Sequence, residues 1–124
     1  MYSWDHDPVG PGEVLFTTEF YRACHRALGD GGLIVQQSES PLLHRALLKR
    51  IRHDMVSAGF AGTRTLQFPQ PVYPGGWWSA TMAMSLSAWP EPRYAEMEKI
   101  AGMRYFNRAI FDASLALPAF MTEE

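Results

Sequence analysis

Gly31-Gly32-Leu33-Ile34-Val35-Gln36-Gln37-Ser38-Glu39-Ser40-Pro41 is the stretch on which the fold turns. Leu33-Ile34-Val35 is short, apolar and partly β-branched, which predicts a buried strand. The glycines before it form a tight turn at a helix end. Ser40-Pro41 reads as a serine N-cap followed by proline at the first helical position. Helix, strand and helix in this order point to an α/β layer. The strand runs out in Gln36-Gln37-Ser38-Glu39, and in open α/β sheets ligands sit beyond the carboxyl ends of strands.

Upstream, Thr17 or Thr18 can cap a helix in which Phe20, Cys24 and Ala27/Leu28 recur at helical spacing. Gly29-Asp30-Gly31-Gly32 has the look of a phosphate loop. Such loops follow a strand and open a helix, whereas this one does the reverse, so it reads as a turn. Downstream, Leu43, Leu47, Ile51 and Met55 form the buried stripe of a second helix, and Lys49, Arg50, Arg52 and His53 read as its solvated face.

Residues 64–68 alternate polar and apolar as a half-buried strand does, residues 69–76 form a proline- and glycine-rich rigid loop, and residues 77–86 alternate again. Trp78, Ala80, Met82, Met84 and Leu86 share one face of that strand, where the methionines suit a core better than a metal box. Residues 93–100 predict a short helix, and residues 109–121 an apolar segment broken by Pro118. So few strands make an incomplete sheet. Either another chain completes it, or the sequence is the C-terminal half of something longer.

Composition narrows the classes of function. With 124 residues, 47% of them hydrophobic and 19% charged, the chain suits one globular domain. A net charge of −2 without a basic tract disfavours nucleic acid. The single cysteine, Cys24, allows no intrachain disulfide and fits a reducing, cytoplasmic setting. No apolar run approaches the roughly 20 residues that span a bilayer. His6, His25, His44 and His53 are scattered, which argues against a metal centre, and His25 and His44 read as partly buried helix residues.

Asp5-His6-Asp7-Pro8-Val9-Gly10-Pro11-Gly12 is a shaped loop bearing two carboxylates. On its own it reads either as a surface turn or as a holder of a cation or amine. This loop, the strand end at Gln37, and Tyr73 with Trp77 and Trp78 could converge at one end of the sheet. Acids and amides would bind NH groups there while rings cover methylenes, as an amine or polyamine requires.

The run from Asp7 through Pro8-Val9-Gly10-Pro11-Gly12-Glu13-Val14-Leu15 to Phe16 resembles the active-site loop of the spermidine synthase family, the polyamine aminopropyltransferases. The likeness continues in order through Thr18-Glu19-Phe20-Tyr21, the stretch from Gly31 to Ser40, Pro71-Val72-Tyr73-Pro74-Gly75-Gly76-Trp77-Trp78, Arg104-Tyr105-Phe106-Asn107 and Ala116-Leu117-Pro118-Ala119-Phe120. It implies the C-terminal half of a Rossmann-like, methyltransferase-type α/β sandwich, with a mixed sheet and flanking helices. One partial domain, 1–124, would comprise an active-site loop (4–16), an α/β core (17–89) and a helical end (90–124).

The family moves the aminopropyl group of decarboxylated S-adenosylmethionine, its cosubstrate, onto putrescine, with no prosthetic group. By resemblance Asp7 binds the diamine, Gln37 hydrogen-bonds an amine, Tyr73 positions the attacking nitrogen and Trp78 walls the methylene chain. Pro11 and Gly12 lie by the donor's adenine. The family's Asp-x-x-Asp-Pro begins with the catalytic base. Trp4 holds that position here, and Asp5, one residue later, is the candidate substitute. The family's N-terminal strands and glycine-rich donor loop have no counterpart, so the expectation is a truncated or split enzyme, inactive alone. The partners expected are a diamine, a separate N-terminal-half chain and further copies in a homo-oligomer. The alternatives are a non-catalytic polyamine-binding or oligomerising module, and a structural relic that self-associates through its open sheet edge.

Overall fold

A computed structural model describes residues 13–122 of the chain. Asp5, Asp7, Pro11 and Gly12, and with them Trp4 and His6, lie outside the described residues. After a 3-10 turn at Glu13–Phe16 the order is α1 (Thr18–Leu28), β1 (Leu33–Glu39), α2 (Arg45–Ser57), β2 (Gly62–Pro69), β3 (Trp77–Met84), α3 (Tyr94–Glu98) and α4 (Arg108–Leu115), closed by a 3-10 turn at Ala119–Thr122. The architecture is α/β, with a small sheet of order β1-β3-β2.

That sheet is antiparallel among the described residues and not the expected mixed one. β1 and β2, joined through α2, do run in the same direction. β3 is inserted between them and opposes both, so no parallel pair forms. Among the described residues β1 is consequently an edge strand. Leu33 is 42% exposed and Val35 53%, which corrects the expectation of a buried strand.

The α1 start is as expected: Thr17 is the N-cap, its hydroxyl accepting from the Phe20 N–H at 3.2 Å. Its deepest residue is Tyr21, fully buried, whereas Leu28 of the expected stripe is exposed. Gly32 is needed where the chain turns back from α1, since a Cβ there would collide with Leu28. The second helix begins at Arg45, later than Ser40-Pro41 suggested. The Ser40 hydroxyl accepts from the N–H groups of Leu42 and Leu43 and so caps a turn that precedes the helix. Leu43 therefore lies outside the stripe and is exposed, while Leu47, Ile51 and Met55 are buried as expected and Leu48 joins them. Of the supposed solvated face, Lys49, Arg50 and His53 are exposed. Arg52 instead reaches Thr65 Oγ1 at 3.5 Å and the Met121 carbonyl at 3.2 Å.

The core joins Tyr21, Leu47, Ile51, Met55, Ala58, Phe60 and Ala83, with Ile34 packed against it. Ile34 and Ala83 are register partners, so α1 and α2 cover the face of Ile34, Gln36 and Ser38. Both faces of β3 are engaged, as its central place demands. Ser79, Thr81 and Ala83 are buried on one side and Trp78 and Met84 on the other. Leu86 lies beyond the strand and is exposed. The terminal apolar segment resolves into α4, capped by Asn107 Oδ1 accepting from the Ile110 N–H at 2.8 Å, and the final 3-10 turn.

Candidate functional site

Register brings the candidate residues together. Gln37 pairs with Ala80 on β3, and Trp78 lies two residues back on the same face, a diagonal neighbour. The Trp78 Nε1–H donates to Gln37 Oε1 at 2.9 Å. Tyr73 sits just ahead of β3 in a connection closed by its own backbone: the Gln70 N–H bonds the Gly76 carbonyl at 2.8 Å, and the Tyr73 N–H the Gln70 carbonyl at 3.1 Å. Gly75, at φ 79°, supplies the left-handed turn this closure needs. The Tyr73 ring then lies 4.5 Å from that of Trp78, tilted by 42°. Tyr73 and Gln37 are exposed, while Trp78 is only 5% exposed, so the indole supports Tyr73 more than it presents a surface of its own.

The strand end itself is unusually constrained. The register slips between Gln37 and Glu39, a bulge of the kind that re-aims side chains at sheet edges. Glu39 has φ 70°, a left-handed conformation that costs a non-glycine residue roughly 1–2 kcal/mol. Its carbonyl accepts from Ser79 Oγ at 2.8 Å. Ser79 meets Ser38 Oγ at 2.8 Å, Thr81 Oγ1 donates to Ser38 at 2.8 Å, and Thr65 Oγ1 lies 3.1 Å from Thr81. This chain of buried hydroxyls crosses all three strands and ends on the strained residue. Strain of this kind persists only where surroundings over-determine it.

Three further groups were not singled out as site residues from the sequence. His44 Nδ1 accepts the Ser40 N–H at 3.2 Å, so that nitrogen carries no proton, and the ring meets Trp78 edge-on at 6.1 Å. Gln36, on the opposite face from Gln37, accepts the Tyr21 hydroxyl proton and donates through Nε2 to the Leu15 carbonyl at 2.6 Å. It thereby ties the start of the described chain to β1. Tyr21 is the third: burial, reinforced by the Asp54 carboxylate, pushes its phenol well above the usual range, so it stays a neutral donor. The signal available for Ser38, Ser79 and Thr81 was their alternation along strands, which marks a face but not its burial.

Among the described residues no group of three histidine, cysteine or acidic side chains could hold a metal ion. Nor is any helix among them long and apolar enough to cross a membrane. A groove of about 570 Å³ lined by Lys49, Arg52, His53 and Thr63 lies beside α2 and β2, apart from Gln37 and Tyr73. The arrangement around Gln37 offers a carboxamide and a phenol over a buried indole, suited to holding NH groups beside an apolar chain.

Comparison with known proteins identifies the family. The spermine/spermidine synthase domain matches residues 3–89. A polyamine aminopropyltransferase of Nitrosococcus oceani is 51% identical over 121 residues, 95% of this chain and 42% of its own. One from Methylococcus capsulatus is 50% identical over 114 residues, covering 92% of this chain and 40% of its own. A spermidine synthase crystallised with the transition-state analogue AdoDATO superposes with a TM-score of 0.80 at 31% identity, over 93% of this chain and 40% of that one. The chain thus spans about two-fifths of the length of these relatives. On the match of residues 3–89 and these identities, the chain belongs to the spermine/spermidine synthase family.

Proposed function

We propose that this chain forms the diamine-binding part of a polyamine aminopropyltransferase. The observation that carries the reading is the convergence of Gln37, Tyr73 and Trp78, far apart in sequence, into one hydrogen-bonded and stacked group. In the proposed reaction an amine nitrogen of putrescine attacks the aminopropyl carbon bound to the sulfonium of decarboxylated S-adenosylmethionine. A C–N bond forms, the C–S bond breaks, the thioether leaves, and the nitrogen gives up a proton. The nitrogen must be neutral when it attacks, which calls for a base and an acceptor that fix its lone pair.

Asp7 would hold the far ammonium, Gln37 would accept an N–H, and Tyr73 would orient the attacking nitrogen. Asp5 is the candidate base, and Pro11 and Gly12 would lie by the donor's adenine. The donor itself is expected to need residues beyond these 124, since the relatives are more than twice as long. The test is direct: the polypeptide is incubated with putrescine and the donor, and in parallel titrated with putrescine alone by calorimetry. Diamine binding lost in Asp7→Asn, without spermidine formation, is the expected outcome. Turnover at an ordinary enzymatic rate would overturn the split-enzyme reading, and absence of binding would overturn the diamine reading.

The second reading is a non-catalytic module that associates with copies of itself. It draws on the exposed apolar side of β1, where Leu33 and Val35 face outward on an edge strand.

A further inference from the structure

We infer that Trp78 acts as a positioning residue, one buried indole that sets the direction of the Gln37 carboxamide and seats the Tyr73 ring. This rests on the reading of Gln37 and Tyr73 as amine ligands, and it departs from the wall role that resemblance suggests for Trp78. An indole N–H is a donor only, so the atom it meets at 2.9 Å must be the carboxamide oxygen. That contact removes the twofold ambiguity of an amide: the oxygen lies against Trp78 with one lone pair left, and the NH2 group points away from the indole. Substrate N–H groups therefore meet an oxygen in a fixed place.

The molecule contains its own control. Trp77 donates in the same way to Gln67 Oε1 at 2.8 Å, across to β2 on the opposite face. There the NH2 group is used as well, since Gln67 Nε2 donates to the carbonyls of Ala113 and Ala116 at 3.2 and 3.4 Å and holds α4 to the sheet. Gln37 Nε2 makes no hydrogen bond among the described residues, and Gln37 is exposed. Two tryptophan–glutamine pairs of the same construction thus differ in what the amide does next. One closes a structural contact, and the other leaves an oriented amide facing outward. A wall residue would need exposed ring area, and Trp78 at 5% exposure, with Tyr73 at 4.5 Å, has little to offer.

The experiment reads the indole N–H resonances of the isotope-labelled chain, assigned by comparison with Trp77→Phe and Trp78→Phe. In Gln37→Leu, an exposed substitution that spares the core, the Trp78 indole proton should exchange with solvent roughly fivefold to tenfold faster, as for the loss of one net hydrogen bond. The Trp77 proton should not change. Gln37→Glu keeps an acceptor and should restore protection. Titration with putrescine forms the second arm. Trp78→Phe and Gln37→Leu should each weaken binding, and Trp78→Phe should cost less in the Gln37→Leu background than in the wild type, because only its support of Tyr73 is then left to lose. Unchanged Trp78 exchange in Gln37→Leu, or additive losses of affinity, would overturn the inference. If the wild type binds no putrescine, the amine reading fails, and the exchange arm still decides whether Trp78 orients Gln37.

Discussion

The two faces of the sheet differ in a way their polarity does not foretell. Beneath α1 and α2 the centre of the sheet is polar, with Ser38, Ser79 and Thr81 at 0% exposure and Thr65 at 3%. On the other face Val35 is 53% exposed and Leu33 42%. The hydroxyls tolerate burial because each finds another hydroxyl or a carbonyl, so none keeps an unmet desolvation cost. α4, Trp89 and the prolines near it border an open groove with Leu33, Arg64, Met82 and Met84, and Val35 is not part of its lining. Polarity alone is therefore a poor guide to burial here. Satisfied partners and the reach of the covering helices decide it.

The sharpest way to break this comparison is to delete apolar bulk from each face. Met55→Ala, on the helix covering the polar face, should cost about 2–5 kcal/mol by urea unfolding. Val35→Ala should stay within about 0.5 kcal/mol. Equal costs would show that the exposed face is packed in solution. Next in size is Thr81→Val, which takes one hydroxyl partner from each of Ser38 and Thr65, leaving them Ser79 and Arg52, and should cost about 1–3 kcal/mol. If the loss is negligible, the hydroxyl chain contributes little.

Tyr21 gives a pH-dependent prediction. Its phenol is raised above the unfolded value of about 10, so the unfolded chain releases its proton first. Stability from this group is complete below about pH 10 and declines above it, by up to about 1.4 kcal/mol per pH unit. Tyr21→Phe should flatten that part of the profile, and an unaltered slope would remove Tyr21 as its source. The smallest effect on stability is expected for Val35→Lys, which should leave the unfolding midpoint nearly unchanged while reducing self-association in sedimentation experiments. Association that persists in Val35→Lys would place the contact elsewhere.

Much of the local structure was legible in the chain. Thr17 as a cap, the turn before Leu33, the stripe of Leu47, Ile51 and Met55, and the strands on either side of the Tyr73 connection all follow from short-range chemistry. The helix start was misplaced because Ser40 does cap, but it caps a turn. A hydroxyl bonded to the next N–H groups looks the same in sequence whether or not a helix follows. Gln37, Tyr73 and Trp78 could be nominated from their residue types. Their contact depends on a diagonal register between strands about forty residues apart, which no local pattern encodes.

By itself, then, the sequence determined most of the elements, the family to which they belong, and the residue types from which an amine site is proposed. Tertiary structure alone decided that β3 separates two strands of like direction, that β1 stands at an edge, and that hydroxyls fill a buried face. It also decided that one of two like tryptophan–glutamine pairs is spent on α4 while the other keeps its amide outward. The physical reason is range. Caps, turns and stripes are settled by neighbours a few residues away, whereas strand pairing and burial depend on which distant segments arrive and how far they reach.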